Sequence, residues 1–164
     1  MNRSAKRVGR GVMKATLICA VLVLGSIRVA AAGDYNDVDI GTSPTTKLEG
    51  RFKVGTIRVT ITTKPSTLPG RKAWDRSVSK LRVFVGRREL FVPRSAYLDV
   101  SNVNRARLRE EGKSIVLSMD CEDGAESYEA RIFVTSTRVV RRAIYTLTSP
   151  QKVLEETTYR LVVE

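Results

Sequence analysis

There is no histidine anywhere in this 164-residue chain. Its absence removes the Ser-His-Asp and Cys-His arrangements in which imidazole activates a nucleophile. It also removes imidazole-bound zinc and a histidine axial ligand to haem. Cysteine is almost as scarce: Cys19 and Cys121 are the two in the chain, too few for a thiolate zinc site. Long apolar runs are missing as well. The longest stretch, Ala15 to Ile27, has thirteen residues and is closed by Arg28, whereas a membrane-spanning helix needs about 20.

What stands at the N-terminus instead has the order of an export signal. Met1 to Lys14 carries Arg3, Lys6, Arg7, Arg10 and Lys14 and no acid; the apolar stretch follows, and then Ala30-Ala31-Ala32-Gly33. A basic segment, a short apolar segment and a small-residue cleavage site in that order read as a secretory leader. Cleavage is expected after Ala32, giving a periplasmic or secreted product. Cys19 lies inside the apolar segment without the small residues that precede a lipoprotein cysteine. Lys6-Arg7 is a poor match to a twin-arginine signal, so the general secretory route is expected.

With the leader set aside, residues 33–164 have the length of one domain with a single core. Six of the 29 basic residues and none of the 17 acids belong to the leader, so the remainder carries 23 against 17, a net charge of +6. The excess is uneven: Gly33–Leu98 has 13 basic and 6 acidic residues, Asp99–Glu164 has 10 and 11. Cys121 is left without an intramolecular partner, and an unpaired cysteine in an oxidising compartment is buried, free or bridged to another chain.

Period-two alternation dominates the chain. Residues 33–48 are polar and punctuated by Gly and Pro, and an irregular arm is expected there, with a single β domain over 49–164. Glu49 to Thr63 is strand-like, but its apolar parity flips across Gly55, which calls for a bulge or break. Lys64 to Ser79 reads as a long connection. Leu81, Val83 and Val85 turn at Gly86 into Leu90-Phe91-Val92, a hairpin. Arg94 to Asn104 is ambiguous, with a short helical turn one option. Ala106 and Leu108, then Ile115, Leu117 and Met119, flank a turn at Gly112. Asp123-Gly124 marks another turn. Strands over Tyr128–Val134, Val139–Leu147 and Thr157–Val163 complete the set. The expected fold is all-β: an antiparallel sandwich or small barrel of about eight strands, with little helix. A transmembrane barrel fits less well, because several strands are short and one face is rich in arginine.

Two stretches bear a resemblance. They are Lys80-Leu81-Arg82-Val83-Phe84-Val85 leading to Leu90-Phe91-Val92-Pro93-Arg94-Ser95-Ala96, and Glu126 to Ile132 with Val140-Arg141-Arg142 and Leu154 to Tyr159. Over roughly Leu81–Tyr159 the chain resembles a set of uncharacterised exported bacterial β-rich proteins. The resemblance implies export and a β fold, and no function.

Candidate binding residues cluster in the basic segment 64–94. Arg71, Lys72, Trp74, Arg76, Arg82, Arg87 and Arg88, with Lys64, Lys80 and Arg94, face only Asp75 and Glu89. Clustered cations with an aromatic suit an anionic partner; a solvated face with Trp74 plugging the core accounts for the same residues. Nucleic acid suits such a surface too, but export places the chain away from it. Arg105, Arg107 and Arg109 share one strand face and call for opposing acids or a partner. Asp120, Glu122 and Asp123 have turn chemistry and no calcium-loop spacing. The leading expectation is a non-enzymatic exported domain that binds a protein partner of the cell envelope. The alternatives are electrostatic binding of an anionic envelope polymer or membrane surface through 64–94, and a hydrolase using paired carboxylates. No catalytic residue, cofactor or metal is assigned. A thiol bridge through Cys121 to a second chain is the one covalent contact the sequence leaves open.

Overall fold

Ile57, Val59 and Ile61 point to one side of strand β3 (Gly55–Pro65), and Arg58, Thr60 and Thr62 to the other. This alternation, repeated along the chain, sets the architecture. The structure is a computed structural model that describes residues 36–40, 43–65, 75–122 and 127–160. The leader, the segment holding Arg71, Lys72 and Trp74, the Asp123-Gly124 turn and 161–164 lie outside the described residues.

Among the described residues, ten antiparallel strands form two sheets that do not close into a barrel. β2 (Thr45–Phe52), β3, β4 (Arg76–Val85) and β5 (Arg88–Leu90) make a four-stranded meander. A 3-10 turn at Arg94–Ala96 starts the crossing to the second sheet. There β6 (Val103–Glu111), β7 (Ser114–Cys121), β8 (Tyr128–Val134), β9 (Val139–Thr146) and β10 (Val153–Thr158) follow one another. β1 (Asn36–Asp39) closes the far edge beside β6, giving the order β1-β6-β7-β8-β9-β10. The sandwich alternative is thus the one that holds, with ten strands where about eight were expected.

The core lies between the sheets. Ile57, Val59, Ile61 and Val83 from the smaller sheet meet Leu108, Ile115, Leu117, Met119 and Ile132 from the larger, all with at most 1% of their surface exposed. Each such aliphatic side chain contributes roughly 1.5–3 kcal/mol by leaving water. The crossing is tied at Asn102. Its backbone N–H donates to Arg76 O (2.7 Å), and its side-chain oxygen accepts from Arg76 N (2.9 Å). It adopts φ +50°, a left-handed conformation that asparagine tolerates better than most residues.

Several boundaries differ from the sequence reading, including the expected connection Lys64–Ser79, into which β3 and β4 extend as far as Pro65 and Arg76. The expected N-terminal arm contains β1 and the start of β2; Asn36-Asp37-Val38-Asp39 has a single apolar residue, so it gave no alternation to read. Of the bulge or break expected at Gly55, the structure has the break, a chain reversal: Phe52 pairs with Gly55 across a two-residue turn, and Gly55 takes φ +110°, a region that disfavours a side chain. The last strand among the described residues is Val153–Thr158, where Thr157–Val163 was expected, the end of that range lying outside the described residues; β5 stops at Leu90, leaving Phe91 83% exposed.

Candidate functional site

The outer face of the four-stranded sheet receives part of the basic segment. Arg82 is held by Glu89 through Nε and Nη2, both at 2.7 Å. This pairing lowers the Glu89 carboxyl and raises the Arg82 guanidinium. Arg82 and Arg58 both lie over the Phe84 ring, at 4.9 and 5.3 Å from its centre. Arg58 is itself fixed by donating to Gly86 O at 2.8 Å. Together with Lys47, Glu49 and Thr60 these three residues line a shallow depression of about 350 Å³.

The remaining predicted binding residues do not join them. Arg76 is turned inward, donating to Thr63 Oγ1 (2.8 Å) and Thr63 O (3.1 Å). Arg88 crosses to the other sheet and donates to Ser136 O (2.7 Å). Arg87 stands exposed at the β4–β5 turn. The basic run in sequence is therefore not one surface: alternate residues leave a strand on opposite sides, and two of the arginines serve as internal ties.

The outer face of the six-stranded sheet is more unusual. Val116, Phe133, Ala143 and Tyr145 form a second apolar cluster there, on the side away from the core. Ser118 and Glu129 are buried beside it. Arginine side chains cover this layer: Arg131 lies 3.9 Å from the Tyr145 ring centre and Arg141 3.7 Å from that of Phe133. The three arginines of β6 find acids, as their shared face required. Arg105 approaches Asp37 and Asp39 (3.8 and 3.7 Å), Arg107 bonds Asp120 (2.9 Å) and Glu129 (3.2 Å), and Arg109 pairs with Glu111 (3.3 Å). The acids of β1 come from the segment that was read as irregular. Of this platform, the sequence singles out Arg105, Arg107 and Arg109 but not the apolar cluster they border. Its signal was present in the triplets Ile115-Val116-Leu117, Ile132-Phe133-Val134 and Ala143-Ile144-Tyr145, whose unbroken apolar character marks strands buried on both faces.

One carboxylate pair stands out in this platform. Asp120 and Glu129 sit directly opposite each other on β7 and β8. Arg131 donates to Glu129 Oε2 through Nε (2.8 Å) and Nη2 (2.5 Å), while Arg107 holds Glu129 Oε1. Burial alone would raise the Glu129 carboxyl, but the Arg131 hydrogen bonds and charge outweigh it and hold the group below the usual range. For Asp120 burial wins over the Arg107 charge and raises it. The pair is clasped by guanidinium groups and its glutamate is covered. Two depressions on the smaller sheet are each lined by one carboxylate, Glu49 or Glu89.

Cys121 is fully buried, its thiol 3.6 Å from Met119 O. Burial pushes its pKa up to about 12. A bridge to a second chain would require β7 to open first. Asp120 faces Arg107, Glu122 is exposed, and Asp123 lies outside the described residues.

No family model matches the chain, no curated protein is similar to it, and no solved structure matches it.

Proposed function

We propose that the chain is exported and that, once its leader is removed, it acts as a β-sandwich module binding a protein of the cell envelope through the outer face of its six-stranded sheet. The observation that carries this reading is the composition and order of that face: five arginines interleaved with six carboxylates, two aromatic rings and, among the described residues, no lysine. Arginine and aromatic residues are enriched, and lysine depleted, where proteins meet proteins.

Physical economy supports the same reading. A solvated sheet face is normally tiled with flexible side chains, which lose rotamer freedom when a partner orders them, at about 0.5–1.5 kcal/mol each. Here the arginines are already immobilised by stacking and ion pairs, so most of that cost falls at folding and not at binding. Val153, paired with Tyr145 and 43% exposed, adds an apolar rim. Six strands spaced about 4.8 Å apart and about eight residues long give a face of roughly 600 Å², close to the ~800 Å² per partner of a standard interface.

The test is capture from an envelope extract by the immobilised mature chain. A partner held through this face stays bound in high salt, because its contacts are desolvated. Val153→Asp and Arg141→Ala, confirmed folded by urea melts, should release it, whereas Arg51→Ser on the opposite sheet should not. Capture that survives both face variants would refute the assignment.

A further inference from the structure

Three strands bring onto one surface cations that the sequence keeps apart. Cross-strand pairing places Lys47, Thr60 and Arg82 in one row and Glu49, Arg58, Phe84 and Glu89 in the next. Lys80 shares this side through its pairing with Thr62, Lys64 through Ser77 and Arg51 through Thr56. The outer face of the four-stranded sheet thus carries six cations against two carboxylates, a net of +4. Apart from Phe84, the uncharged outward residues of β2, β3 and β4 include Thr45, Thr56, Thr60, Thr62 and Ser77, all hydroxyl donors.

We infer that this face is a binding site for a flexible anionic polymer with repeated phosphate or carboxylate groups, lying across β2, β3 and β4. Three features select that occupant. The charge is complementary and spread over about three strands, about 10 Å across, which matches a chain of anions better than a single small ion. Arg58 and Arg82 are fixed in advance on Gly86 O and Glu89, so the cations at the Phe84 depression need little ordering. Phe84 is half-buried between those two guanidinium groups, so the face offers no protruding apolar group to enter a bilayer. Three of the cations, Lys47, Arg51 and Arg58, lie outside the basic run 64–94 and belong to the site only through strand pairing. The inference is independent of the protein interface proposed for the other sheet.

The experiment titrates the mature chain with long-chain inorganic polyphosphate and with polygalacturonate, and in parallel with phosphatidylglycerol vesicles. For about four neutralised charges, affinity for a flexible polyanion should fall roughly 50-fold between 50 and 200 mM salt. Lys47→Ser with Lys80→Ser removes two exposed cations without touching the core, and the same rise in salt should then weaken binding only about sevenfold. Lys113→Ser, at the β6–β7 turn, should change nothing. Binding of either polymer with this salt response supports the site, and comparing the two tells phosphate from carboxylate preference. Binding to vesicles but to neither polymer, salt-insensitive binding, or an unchanged salt response in the double lysine variant would each overturn it.

Discussion

Replacing Glu129 by glutamine keeps the shape of the side chain and removes its charge from beneath the arginine layer. The wild-type carboxylate is 3% exposed and accepts three hydrogen bonds from two guanidinium groups, Arg131 at 2.8 and 2.5 Å and Arg107 at 3.2 Å. Charge-assisted bonds of this kind contribute about 1.5–3 kcal/mol each. Glutamine can keep one oxygen on the Arg131 pair, but its amide nitrogen then faces Arg107, donor against donor. One charge-assisted bond is lost and the others weaken, so the expected destabilisation is about 3 kcal/mol. For a domain of this size that corresponds to a Tm lower by roughly 10 °C. The contrast is Asp120→Asn, where the wild-type carboxyl is raised by burial and its charge is already unfavourable; this variant should be neutral or slightly stabilising at pH 7. The pH dependence follows. The contribution of Glu129, whose folded pKa is depressed, is complete above the ordinary carboxylate range and is lost as pH falls through its folded value. Asp120, whose folded pKa is raised, has the opposite sign. Urea melts at pH 7 and at pH 4 measure both. Equal stability of Glu129→Gln and wild type at pH 7 would show that water, and not the arginine pair, satisfies this carboxylate, and the reasoning would fail.

Other consequences are as direct. Cys121 should resist a thiol-labelling reagent in the native state and react only in denaturant, and reducing and non-reducing gels should run alike; rapid native labelling would contradict its burial. Arg142, 3% exposed and bonded to Asp99 and Glu155, ties the crossing segment to β10. Arg142→Ala leaves two carboxylates that are more than half exposed, so it should cost about 1–2 kcal/mol, through lost packing and charge-assisted bonds, and hydrogen exchange should rise first in Val153–Thr158; uniform exchange would deny the tie. Asn102→Ala should cost about 1–2 kcal/mol through its φ of +50° and its lost bond to Arg76, with Asn102→Gly recovering the conformational part. Equal melts for the two would place the whole effect in the side chain.

The fold was legible where apolar residues alternate over several positions. Leu81-Val83, Ala106-Leu108 and Ile115-Leu117-Met119 all face the core as their spacing required. It was not legible where a strand is held by its neighbour and not by its own pattern. β1 has one apolar residue and owes its place to pairing with β6 and to Arg105 beside Asp37 and Asp39. The parity flip at Gly55 calls for a bulge or a break, and the break is what holds; sequence alone did not choose between them, since a bulge and a two-residue reversal leave the same mark in a period-two pattern. Of the candidate binding residues, Arg82 was placed on a cationic face, yet its companions there, Lys47 and Arg58, come from other strands. A run of charge along the chain says little about a surface when successive side chains diverge and residues such as Arg76 and Arg88 turn to bind carbonyl oxygens. The arginine-covered platform was half visible: the demand of Arg105, Arg107 and Arg109 for acids was read, whereas the outer cluster of Val116 and Phe133 was missed.

The reading of that platform as the surface that meets a protein is tested most directly by photo-crosslinking in intact cells that express the full chain. A photoreactive residue at Ser114 or Thr158, on the outer side of the six-stranded sheet, should give one discrete adduct with an envelope protein, and the same residue at Thr62 on the other sheet should not. Adducts of the same kind from all three positions, or none from Ser114 and Thr158, would contradict it.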